Sequence, residues 1–120
     1  MLAFISTPYS AVLNAPEFTS RFDKMADIEA HETALHLARR AAEIAKTRGF
    51  VPISPVLNFD GVYSESAERE AVCAACRELI RLCDVFIYAQ TPYTAQSKGM
   101  RHELELAQSL GKKIIEVHCD

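Results

Sequence analysis

Apolar residues along this chain follow two rhythms that alternate from one end to the other. The short runs Leu2-Ala3-Phe4-Ile5, Phe50-Val51-Pro52-Ile53, Asp84-Val85-Phe86-Ile87-Tyr88-Ala89 and Lys113-Ile114-Ile115-Glu116-Val117 lack strict polar alternation. They suit strands buried on both faces of a parallel sheet. Between the first two, Ile28, Ala34, Leu35, Ala38, Ala41, Ala42 and Ala45 recur at helical spacing. This predicts an amphipathic helix from about Asp27 to Arg48, stopped by Gly49. Further helices are expected from about Ala67 to Leu82 and from about Lys98 to Leu110, the last closed by Gly111.

The connections read as loops. One follows the first strand and carries Pro8, Asn14, Pro16 and Ser20, long for a connector and with room for one helical turn. Others run from Ser54-Pro55 through Asn58, Asp60 and Gly61 to Ser66, and through Thr91, Pro92 and Thr94. The order βαβαβαβ predicts a single α/β domain over residues 1–120, a small three-layer flavodoxin-like or Rossmann-like parallel sheet of about four strands. Such sheets bind ligands beyond the carboxyl ends of their strands, so the loops after Ile5, Ile53 and Ala89 should converge on one crevice.

Composition narrows the partners. With 49% apolar and 24% charged residues over 120 positions, the chain can bury one core. A net charge of −3, from 13 basic and 16 acidic residues, disfavours a polynucleotide partner. No apolar run is long enough to span a bilayer and Met1–Ser6 lacks the features of a signal peptide, so a cytoplasmic location is expected and no membrane partner. Cys73, Cys76, Cys83 and Cys119 are then expected as free thiols.

One acid group stands out. At roughly 100° per residue, Met100, Leu104, Leu106, Ala107 and Leu110 share one side of the third helix, and Glu103 falls in the middle of them. A carboxylate there loses solvation, which raises its pKa and makes it a candidate active-site group. Two plainer readings stay open: a Glu early in a helix complements the dipole, and a residue on the rim can reach water. Just before it, Ser97-Lys98-Gly99-Met100 offers a cap hydroxyl, free backbone N–H groups and a glycine that admits a ligand closely. That makes Ser97, Gly99 and Met100 candidate binding residues for an anion or sugar hydroxyl, although capping explains the same pattern. Ser6-Thr7-Pro8-Tyr9 after the first strand, with Ser6, Pro8 and Tyr9 as candidates, could hold a phosphate or ribose and pack a ring on a sugar or base. Asn58, in the loop after the second strand, offers an amide to a base. Turn chemistry accounts for both segments as well.

Other signals are weaker. Cys73 and Cys76, with Ile80 and Cys83 on one helix face, read as small buried hydrophobes, and no second ligand pair completes a zinc site. A redox protein built on that cysteine pair is a third reading, which would require a depressed thiol pKa. His31, His36, His102 and His118 are scattered. Asp84 opens its strand at the end away from the crevice and reads as a boundary group.

Taken together, Ser6-Thr7-Pro8-Tyr9, Pro52-Ile53-Ser54-Pro55, Cys83-Asp84-Val85-Phe86-Ile87 and Ser97 through Ala107 resemble the nucleoside 2-deoxyribosyltransferase-like superfamily over nearly the whole chain. The similarity is greatest to its small phage and bacterial branch. The resemblance implies that Glu103, in a Gly-x-x-x-Glu-Leu-x-x-Ala type segment, is a nucleophile that attacks C1′ of a deoxyribonucleoside or nucleotide and leaves a glycosyl-enzyme. It implies no cofactor and a homo-oligomer. Three departures go with it: Cys76 stands where related N-hydrolases carry an Asp that assists the leaving base, Glu105 stands where transferases carry Gly, and Asp120 falls short of the tail that completes a neighbour's site in several relatives. The rival function is a non-catalytic nucleotide- or nucleoside-binding module of the same fold.

Overall fold

A computed structural model describes residues 1–64 and 67–120. Four strands, β1 (Leu2–Ser6), β2 (Val51–Ile53), β3 (Val85–Gln90) and β4 (Lys113–His118), form one parallel sheet in the order β2-β1-β3-β4. Among the described residues the α-helices that join them are α1 (Ser10–Leu13), α2 (Pro16–Thr19), α3 (Lys24–Thr47), α4 (Pro55–Phe59), α5 (Arg69–Leu82) and α6 (Lys98–Ser109). The flavodoxin-like α/β expectation holds. Among the described residues no helix is long and apolar enough to cross a membrane.

The strand alternation sorts the core into two layers. Ala3 and Ile5 of β1, with Val85, Ile87 and Ala89 of β3, pack against the alanine-rich face of α3. Phe4, Phe86 and Tyr88 point the other way, toward Cys76 and Ile80 of α5 and Met100 and Ala107 of α6. Phe4 and Phe86 are register partners and their rings stack at 5.5 Å. The small side chains Ala30, Ala34, Ala38, Ala41 and Ala45, all buried, let α3 lie close to the sheet.

Several boundaries differ from the sequence reading. The long loop after β1 contains two one-turn helices, α1 and α2, whose Val12 and Phe18 are buried in the α3 layer. Pro16 at the first position of α2 is preset for a helical φ. Helix α3 starts earlier than expected because Asp23 caps it, accepting the Ala26 N–H at 2.6 Å. Ile28, assigned to its apolar face, is exposed. The segment after β2, read as a loop, is helix α4, capped by Ser54 through the Leu57 N–H at 3.3 Å with Pro55 leading. The expected end of that loop, Ser66, lies outside the described residues, and α5 begins at Arg69. Leu110 caps α6 rather than extending it and is exposed. Gly49, at φ +89°, and Gly111, at +69°, take the left-handed conformation that closes α3 and α6.

Candidate functional site

The strand order creates the site. From β1 the chain runs through α3, on one face, to edge strand β2, then returns through α5, on the other face, to β3 on the opposite side of β1. The helices therefore diverge at the carboxyl ends of β1 and β3, the switch point where such sheets open a crevice. A cavity of about 930 Å³ lies there, within the range of small-molecule sites. Its walls include Thr7 and Tyr9 after β1, Phe59 and Tyr63 around the end of α4, Cys76 and Arg77 of α5, and Ser97 through Met100 with Glu103 of α6.

Glu103 is central to it. Ser6 follows Phe4 at strand spacing and so faces the α6 layer, where its Oγ donates to Glu103 Oε1 at 2.8 Å. Ser6 is wholly buried and its register partner is Tyr88. From α5 the Cys76 thiol gives the carboxyl a second hydrogen bond. Burial pushes Glu103 up from an ordinary 4.5 to about 7, against the lowering effect of those two donors. Burial also pushes the Cys76 thiol well up, and the adjacent Glu103 charge adds to this, so Cys76 stays protonated as a donor. The carboxyl is packed among protein atoms and meets solvent through the cavity.

Ser97 caps α6, its Oγ accepting the Met100 N–H at 3.2 Å. Lys98 and Gly99 are exposed in the first turn, and a methyl group added at Gly99 would meet nothing within 4 Å among the described residues beyond its chain neighbours and its own helix backbone. Tyr9 meets the His31 ring edge-on at 6.4 Å, and His31 Nε2 lies 2.7 Å from Asp60 Oδ1, tying α3 to the end of α4 beside the cavity. On the far wall Tyr93 OH donates to Glu17, and burial together with that bond raises the phenol to about 12. Lys98, Arg69 and Arg77 also line the cavity, and none has a carboxylate within ion-pair distance among the described residues.

Of the residues singled out in the sequence, the structure brings Glu103, Tyr9, Ser97, Gly99 and Met100 to one cavity. Ser6 and Pro8 lie behind its wall, fully buried, and Ser6 reaches the cavity only through Glu103. Asn58 is not brought to it: helix α4 turns Pro55, Val56 and Phe59 inward and leaves Asn58 exposed. Cys73, expected to be buried, is exposed on the cavity side of α5. Asp84 accepts the Leu2 N–H at 3.0 Å, far from the crevice at the other end of the sheet. Among the described residues no three His, Cys, Asp or Glu side chains gather as a metal site.

Sequence reasoning did not single out Thr7 within Ser6-Thr7-Pro8-Tyr9, and it passed over Cys76 as a partner of Glu103 and the Tyr93–Glu17 pair. A signal existed for two of these. The tripeptide Thr-Pro-Tyr occurs twice, at Thr7-Pro8-Tyr9 and Thr91-Pro92-Tyr93, just past the paired strands β1 and β3.

Fold and site define a flavodoxin-like α/β domain with a desolvated carboxyl in its switch-point crevice. Residues 1–117 match the family described as Domain of unknown function (DUF7768), and the chain belongs to that family. Among solved structures, a 2-desoxiribosyltransferase from Leishmania mexicana is similar at a TM-score of 0.54 and 21% identity, over 99% of this chain and 65% of that one. This chain thus spans about two thirds of that protein's length, and at such identity the likeness shows the fold alone. No functionally curated protein matches the sequence.

Proposed function

We propose that this protein cleaves the N-glycosidic bond of a nucleoside or nucleotide, with Glu103 as nucleophile. The observation that carries the reading is a carboxyl buried at the switch point, held by the Ser6 hydroxyl at 2.8 Å and open to the cavity. The ionised Glu103 attacks C1′ on the face opposite the base. The C1′–N bond breaks, its electron pair goes to the base, and the base takes up a proton from solvent or a cavity donor. The resulting glycosyl ester is resolved when water or a second base attacks C1′, loses its proton and returns the carboxylate. Ser6 and Cys76 fix the carboxyl and stabilise its charge both before attack and as it is released. Tyr9 and Phe59 offer ring faces to the base, and Lys98 and Arg77 suit a substituent with negative charge. In this reading the protein is a cytoplasmic homo-oligomer that needs no cofactor.

The non-catalytic reading, a nucleoside- or nucleotide-binding module, is favoured by one observation. A carboxyl at about 7 is only partly ionised at neutral pH, and Cys76 is too weak an acid to drive off a base readily. Incubation with a panel of 2′-deoxynucleosides and their 5′-monophosphates, followed by chromatography for free base, separates the two. Base release abolished by Glu103→Ala is the expected result. Release that survives the substitution overturns the mechanism, and binding without release favours the module.

A further inference from the structure

Among the described residues the buried polar side chains are Ser6, Thr7, Ser54, Thr94 and Ser97. The fold employs the hydroxyls of all but one. Ser6 donates to Glu103, Ser54 and Ser97 cap α4 and α6, and Thr94 donates to the Ala89 carbonyl at 2.8 Å. Thr7 is the exception: its Oγ1 is shielded from solvent and has no hydrogen-bond partner. The second Thr-Pro-Tyr makes the contrast sharper. Thr91 Oγ1 accepts the Tyr93 N–H at 3.1 Å and pairs with Thr94 Oγ1 at 3.0 Å, whereas Thr7, in the same tripeptide, does neither.

A buried hydroxyl without a partner is destabilising, and a valine would fill the same volume without that cost. Packing therefore gives no reason for the oxygen, but the position does. Thr7 belongs to the cavity wall and directly follows Ser6, so it sits one Cα step, about 3.8 Å, from the residue that grips the carboxylate. A nucleophile approaches C1′ from the face opposite the base, so groups at this strand end lie nearer the sugar than the base. A change of rotamer about Cα–Cβ carries Oγ1 from its shielded position toward the cavity that Thr7 lines.

We infer that Thr7 Oγ1 is a substrate-binding group that hydrogen-bonds a sugar hydroxyl of the ligand. This rests on Glu103 acting at C1′, and it makes Thr7 a determinant of which sugar is accepted. A site that pairs a substrate hydroxyl discriminates strongly against the analogue lacking it, because its own polar group is then left unpaired.

The test compares Thr7→Val and Thr7→Ser with the wild type on a 2′-deoxynucleoside and on its 2′,3′- and 2′,5′-dideoxy analogues, together with urea unfolding. Thr7→Val should lower kcat/KM on the parent roughly 10-fold to 100-fold, leave it unchanged on the one dideoxy analogue that lacks the partner hydroxyl, and unfold no more easily than wild type. Thr7→Ser should stay within a few-fold of wild type. The inference is overturned if Thr7→Val acts like wild type, loses equally on every analogue, which would indicate a base contact or general damage, or is destabilised, which would indicate a structural role. If the wild type releases no base, the Glu103 reading fails, and the same comparison is made on nucleoside binding by calorimetry. There, weakening confined to ligands that carry one particular sugar hydroxyl supports Thr7, and no binding or uniform weakening overturns it.

Discussion

Replacing Glu103 by Gln should make the protein more stable, and only at the alkaline end of the accessible range. The carboxyl is shifted from 4.5 to about 7 by burial, so the folded state holds a proton that the unfolded chain has already released between those values. Stability then falls as pH rises through that window, because the folded state binds more protons than the unfolded one. Below about pH 4 both states are protonated and there is no penalty; above about pH 8 the penalty is complete. A shift of about 2.5 units corresponds to about 3 kcal/mol at 1.36 kcal/mol per unit. Gln removes the charge while its amide oxygen still accepts from Ser6. Urea melts of both proteins under reducing conditions, at about pH 4 and about pH 8.5, should show the stability of Glu103→Gln relative to wild type growing by about 3 kcal/mol between the two. Other titrating groups cancel in the difference. A difference that does not change with pH, or that favours the wild type as pH rises, would refute the claim that Glu103 is held in a desolvated site.

Other expectations follow from the same contacts. If Glu103 is the nucleophile, kcat/KM for base release should rise with pH through about 7 and then level off; a profile that falls through this range would make the residue an acid instead. Ser6→Ala removes a bond to the ionised carboxylate worth about 1.5–3 kcal/mol, so that rising limb should move up by roughly 1 to 2 pH units; an unmoved limb would mean that Ser6 does not tune the group. Away from the cavity, Asp23→Ala should cost about 1 kcal/mol in urea unfolding through the lost cap on α3, and Asp23→Asn should recover most of it; equal losses in both would assign the effect to charge rather than capping.

What the sequence shows of this molecule depends on how local each determinant is. The four strands register as short apolar runs, the helices α3, α5 and α6 are long enough for periodicity to show, and the position of Glu103 among apolar residues of α6 follows from one helix alone. Helices α1, α2 and α4 are single turns, too short for a 3.6-residue rhythm, so only their punctuation could reveal them. Ser54-Pro55 carried that punctuation, a cap followed by a proline at the first helical position, and reading it would have removed Asn58 from the candidates. The contact between Cys76 and Glu103 requires α5 to pack against α6 on a shared sheet face, which no local pattern encodes.

The physical content of the site is a balance between opposing effects on one carboxyl. Burial in the α6 layer raises Glu103, and donors from two other elements, Ser6 of β1 and Cys76 of α5, hold it down near neutrality. Without the donors the acid would stay neutral to higher pH; without the burial it would be an ordinary, well-solvated carboxylate. Both conditions are met by residues far apart in the chain that converge at the switch point. A position that served packing alone would be filled at lower cost by leucine, the residue at positions 104 and 106 of the same helix. An acid retained there at the expense of stability is the pattern expected where stability has been exchanged for chemistry.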